Sequence, residues 1–145
     1  MPVTDNQVAT LRAFLVGDMD EHHRLRGQLA DEPDKVGYTA LIAAAFWEAV
    51  ERRFPSGTPK SEVIRFVGDV RSRAPEADEL LDQDAAERMI LAVFTDESIA
   101  GLDTRTVVSH EVTLLSALVA DEQLDDDKLD GFLAAARKVA DQLLN

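Results

Sequence analysis

The apolar residues of this chain form stripes at three and four residue spacing, and no segment between turn signals sustains a two-residue alternation. A chain patterned this way can bury its apolar stripes by packing helix on helix, and it has no material for a sheet. The segment from about 36 to 54 constrains the answer most. Tyr38, Leu41, Ile42, Ala45, Phe46, Trp47, Ala49, Val50 and Phe54, set at about 100° per residue, cover about two thirds of the circumference, the pattern of a helix surrounded by others.

The remaining stripes fall on either side of it. Thr4 with Gln7 forms a capping box, and Val3 with Val8 a hydrophobic staple, ahead of a first helix of about 5 to 16. Gly17 ends that helix and Asp18 with Glu21 starts a second, about 19 to 30, the alternative being one helix running through Gly17. Asp31-Glu32-Pro33-Asp34 reads as a polar turn before the central helix, which Pro55-Ser56-Gly57 ends. Thr58 and Pro59 supply an N-cap and a first helical proline for a helix ending near Arg73. A further turn is expected over Pro75 to Leu81, then helices from Asp82 or Asp84, from about 104 to 120 and from about 126 to 144. The expectation is an all-α, single-domain bundle of six to seven helices spanning 1–145.

With 15 basic against 28 acidic residues the formal charge is -13. Such a surface repels phosphate backbones and anionic headgroups, so neither nucleic acid nor membrane is an expected partner. The longest unbroken apolar run, Ala40 to Trp47, is far short of the ~20 residues that span a bilayer. The absence of Cys removes disulfides, thiolate zinc sites and thiol nucleophiles together. Met1 to Asn6 lacks the basic and apolar regions of a secretory signal, and the expected location is the cytoplasm.

Several motifs dissolve on inspection. Gly57-Thr58-Pro59-Lys60-Ser61 ends like a phosphate-binding loop, but Pro59 and Phe54 stand where that loop requires glycine. Asp126 to Gly131 suggests a calcium loop, yet Lys128 and Arg137 would occupy ligand positions. Ser109, His110 and Glu111 are hydrolase residue types, but helix neighbours diverge by about 100° and cannot relay a proton to one another. The basic stretch from Arg52 to Arg73 largely neutralises itself, because Glu62, Arg65, Asp69 and Arg73 share one helix face. Asp18 and His22, four residues apart, form half of a metal site whose other ligands the sequence does not supply.

Two charges fall where apolar residues belong. Glu111 projects into the arc of Val107, Val108, Leu115 and Leu118, with His110 pointing away from it. Arg53 falls within the arc of Ile42, Phe46, Ala49 and Val50, in a last turn from which its long side chain can reach solvent. Glu111 and Arg53 are candidates for a buried ion pair, and Glu111, Arg53 and His22 for ligand contacts. The expected function is that of a non-enzymatic helical interaction or regulatory module acting as a homodimer, without a cofactor. The competing reading is a small-molecule or metal-binding bundle, conceivably an enzyme, with Glu111 in its interior.

Overall fold

The computed structural model describes residues 2–29, 31–73 and 81–144. Its described residues form seven α-helices and no strand: α1 (Asp5–Leu15), α2 (Met19–Arg26), α3 (Glu32–Arg53), α4 (Lys60–Ser72), α5 (Gln83–Phe94), α6 (Thr104–Glu122) and α7 (Asp126–Leu144). The turn expected over Pro75 to Leu81 lies, Leu81 apart, outside the described residues. Among the described residues no helix is long and apolar enough to cross a membrane.

Local chemistry sets most of the ends. The Thr4 hydroxyl accepts from the Gln7 backbone N–H at 3.2 Å while the Gln7 side chain accepts from the Thr4 N–H at 2.9 Å, so the capping box forms as expected. Two helices, not one, occupy the first 26 residues. Gly17 adopts φ +81°, its N–H donates to the Phe14 carbonyl at 3.1 Å, and the Asp18 N–H donates to the Ala13 carbonyl at 2.9 Å. This pair of bonds is a Schellman termination, which needs the left-handed residue that glycine adopts without a Cβ penalty.

Three boundaries differ from expectation. The second helix ends at Arg26 and not near residue 30, because the Gln28 and Leu29 N–H groups turn back to the Leu25 and Arg26 carbonyls three residues before them, each at 3.0 Å. Asp31 to Asp34 is the opening of α3 and not a turn before it: the Asp31 carboxylate accepts from the Asp34 N–H at 2.8 Å, as an N-cap does. Pro33 sits in the first helical turn, where its missing N–H is no loss. At α4 the cap residue is Pro59, without a side-chain bond, and the Thr58 hydroxyl turns back to donate to the Pro55 carbonyl.

The chain divides into two compact units, Met1–Glu48 with Val119–Asn145, and Ala49–Leu118. In the first, α1 packs against α2 and α7, burying Val3, Leu11, Leu25, Phe132 and Leu133. Arg137 of α7 bonds the Asp5 carboxylate and the Val3 carbonyl, each at 2.7 Å, while Arg12 of α1 reaches Asp130 at 2.9 Å and Asp126 at 3.2 Å. In the second, α4 packs against α5. Its centre is Phe54, edge-on to Phe66 at 5.5 Å and stacked with Phe94 at 6.3 Å. Arg88 holds the loop after α5 by bonding the Ser98 and Ala100 carbonyls.

Candidate functional site

The second unit buries two adjacent ionisable side chains on α6. Glu111 is 8% exposed and His110 6%. The Glu111 position follows from its sequence register, midway along a face completed by Leu114, Leu115 and Leu118, all buried. Among the described residues nothing bonds or pairs with its carboxylate, and burial alone pushes its pKa up to about 7.

His110 does not point away. Leu114, four residues on and fully buried, extends the apolar arc of α6 to the His110 side, a widening the stripe of valines and leucines read from sequence had left out. The imidazole meets the start of α5, where the Asp82 backbone N–H donates to its Nε2 at 3.0 Å. An Nε2 that accepts a hydrogen bond carries no proton, so the ring is neutral with its hydrogen on Nδ1. Nδ1 lies near the Thr106 carbonyl but outside ordinary hydrogen-bond geometry. Burial lowers the pKa of His110 against smaller opposing effects of Asp82 and Thr106.

Acidification is therefore expected to destabilise the fold through this ring. An unfolded histidine takes up its proton at about pH 6.5, the folded one below that. Its stabilising contribution is full above this range and is lost as the pH falls through it. In His110→Gln an amide oxygen can stand in for Nε2, and no proton is taken up. Urea unfolding between about pH 5 and 8 should show a smaller acid-side decline for that variant than for the wild type. Identical declines would remove His110 from the account.

The other candidate residues lie elsewhere. Arg53 is exposed, its guanidinium 4.8 Å from the centre of the Phe54 ring and 5.7 Å from that of Phe66. It covers the aromatic centre of the second unit by cation–π contact, and the structure does not bring it to Glu111. In the first unit His22 is buried, with Nδ1 donating to the Thr10 carbonyl at 3.0 Å and its ring 5.3 Å from that of Phe14. That bond ties α2 to α1. Asp18 caps α2 by accepting from the Glu21 N–H at 3.2 Å. Among the described residues no three His, Asp or Glu side chains are grouped to hold a metal ion. The expected ladder on α4 forms as two rungs, Arg65 to Glu62 at 3.8 Å and Arg73 to Asp69 at 2.7 Å.

Arg26, Leu29, Lys35, Tyr38 and Thr39 line an open cleft of about 400 Å³ in the first unit. The tight turn after α2, in which the Leu29 N–H donates to the Arg26 carbonyl at 3.0 Å, brings these two residues together. Lys35, Tyr38 and Thr39 meet them from one face of α3, being three and four residues apart. Burial raises the Tyr38 phenol to about 12, against a smaller opposing effect of Arg26, so the hydroxyl keeps its proton.

Fold and site together describe an all-α chain with a buried carboxylate that, among the described residues, has no charged partner and no part in a group of metal-ligating side chains. Comparison with protein-family models, with curated proteins and with solved structures found no match in any of the three.

Proposed function

We propose that the chain is a non-enzymatic interaction module that works as a homodimer, with the outer face of α3 as the contact. The observation that supports this is a line of apolar residues left uncovered along α3, whose other large apolar side chains from Leu41 to Val50 are buried. Val36 is 55% exposed and Trp47 45%, with Ala40 and Ala43 half-buried between them. The four follow one another at four, three and four residues, the spacing of a helix–helix seam, over about 16 Å.

The line is also self-matching. Two copies laid antiparallel with their two-fold axis between Ala40 and Ala43 put the Val36 of each against the Trp47 of the other, while the small residues let the helices approach. A patch this short supports a concentration-dependent dimer and not an obligate one. Sedimentation velocity across a wide range of protein concentration tests it. Wild type should shift from monomer to dimer, and Trp47→Glu should weaken association at least about tenfold with unchanged helicity, because aromatic anchors dominate such contacts. A wild type that stays monomeric throughout, or a variant that dimerises equally well, overturns the reading.

A second reading rests on Glu111. A carboxylate buried without a cation among the described residues is a costly thing to keep in a core, and a bundle that binds a small molecule or metal would have a use for it. Native mass spectrometry of the purified chain separates the two readings, a copurifying metal or organic mass favouring this one.

A further inference from the structure

We infer that the cleft between the end of α2 and the start of α3 is a binding site for a small organic anion, a carboxylate or phosphate head on a short apolar body. The chain carries -13 overall, yet the side chains lining this cleft are two cations, two hydroxyl residues and one leucine, with no acid among them. In so acidic a molecule, a concavity lined by cations alone among charged groups concentrates anions locally.

The lining groups have hydrogen-bonding capacity to spare. Among the described residues Arg26 makes no ion pair, and neither the Tyr38 nor the Thr39 hydroxyl makes a hydrogen bond. Lys35 is held only by Glu32 at 3.8 Å, an exposed pair three residues apart of the kind worth little in water. Four donor groups thus border one space: the planar fork of Arg26, the Lys35 ammonium and the two hydroxyls. An oxyanion can accept from donors of each of these kinds, and the guanidinium fork can engage two of its oxygens. Leu29 and the ring of Tyr38 supply apolar surface for the rest of the ligand. The cleft volume of about 400 Å³ suits a small molecule and not a folded partner.

On α3 the cleft residues Lys35 and Thr39 adjoin the seam residues Val36, Ala40 and Ala43, but the anion site is inferred from its own lining and does not rest on the dimer reading. Its affinity should be modest, in the millimolar range, because Arg26 and Lys35 are exposed and their attraction is screened.

The test is NMR titration of the full chain with three probes: inorganic phosphate, butyrate and butanol. Saturable shifts centred on Arg26, Tyr38 and Thr39 are expected with at least one anion, and none with butanol. Phosphate alone binding would assign a phosphate head; butyrate binding would assign a carboxylate with an apolar body. Arg26→Gln, an exposed substitution that leaves the fold intact, should weaken the response at least about fivefold, and Tyr38→Phe by a smaller factor. Added sodium chloride should weaken it further. The assignment is overturned if neither anion gives saturable shifts up to about 50 mM, or if Arg26→Gln responds like the wild type.

Discussion

Replacing Glu111 by Gln is expected to stabilise the folded chain by about 3 kcal/mol at about pH 8.5 and to leave it nearly unchanged at about pH 4. The carboxylate is 8% exposed and its pKa is pushed up to about 7 by burial, from an ordinary 4.5. Below the ordinary value both folded and unfolded states hold the proton, and the charge costs nothing. As the pH rises from there to about 7 the unfolded chain has released its proton while the folded chain has not, so stability falls. Above that the folded chain carries a buried anion, and the full loss is present. Glutamine has the same shape and never ionises. Urea unfolding at the two pH values reads the difference, and parallel profiles for wild type and variant would show that the carboxylate is solvated in the folded state. His110 slopes the other way with pH, so the comparison must be made between variants and not between pH values of the wild type alone.

The outcome bears on function. If removing the charge stabilises the isolated chain by that amount, an acid kept there at such a cost calls for a use beyond packing, and the reading of Glu111 as a ligand or catalytic group gains on the dimer reading. Arg53 cannot supply the balancing charge, since it lies over the Phe54 and Phe66 rings. Glu111→Leu provides the companion measurement. It should stabilise at both pH values, because leucine completes the face of Leu115 and Leu118 whether or not the acid is ionised.

Helix number and order were legible because every helix but α2 carries its own apolar stripe, and periodicity depends on no other part of the chain. Local punctuation was partly legible. Gly17 followed by Asp18 marked the break between α1 and α2, since both the termination and the next cap are local hydrogen bonds. Pro33 misled because a proline in a first helical turn and a proline in a loop look alike until the Asp31 cap is seen. The Glu111 position in an apolar arc could be read, since it depends only on register. Its lack of a partner among the described residues could not, because that depends on which side chains tertiary packing brings near. His110 shows the same limit: its partner is the Asp82 amide, 28 residues away in sequence. The cleft was invisible for a related reason. Arg26 and Lys35 look like any exposed cations until the turn after α2 sets them facing one space.

Gly37→Ala is expected to destabilise the chain by about 2 kcal/mol, although the same change in an open helix interior stabilises by up to about 1 kcal/mol. The reversal comes from one neighbour. A Cβ at Gly37 would stand 2.6 Å from Nε2 and 2.9 Å from Oε1 of Gln7. Gln7 cannot simply swing aside, for it is 2% exposed and its amide is bonded at both atoms: Nε2 donates to the Asp34 carbonyl at 2.9 Å, and Oε1 accepts from the Thr4 N–H at 2.9 Å. Displacing it would open the α1 capping box and the bond from α1 to α3 in one step, leaving buried polar groups without partners. Gly68 in α4 and Gly131 in α7 serve as controls. Both lie inside helices with nothing within 4 Å of an added Cβ, so alanine there should gain the ordinary helical increment. Thermal unfolding of the three single variants tests the contrast by the sign of the shift in midpoint. If Gly37→Ala rises in midpoint together with the other two, Gln7 is free to move and the contact between α1 and α3 does not depend on its amide.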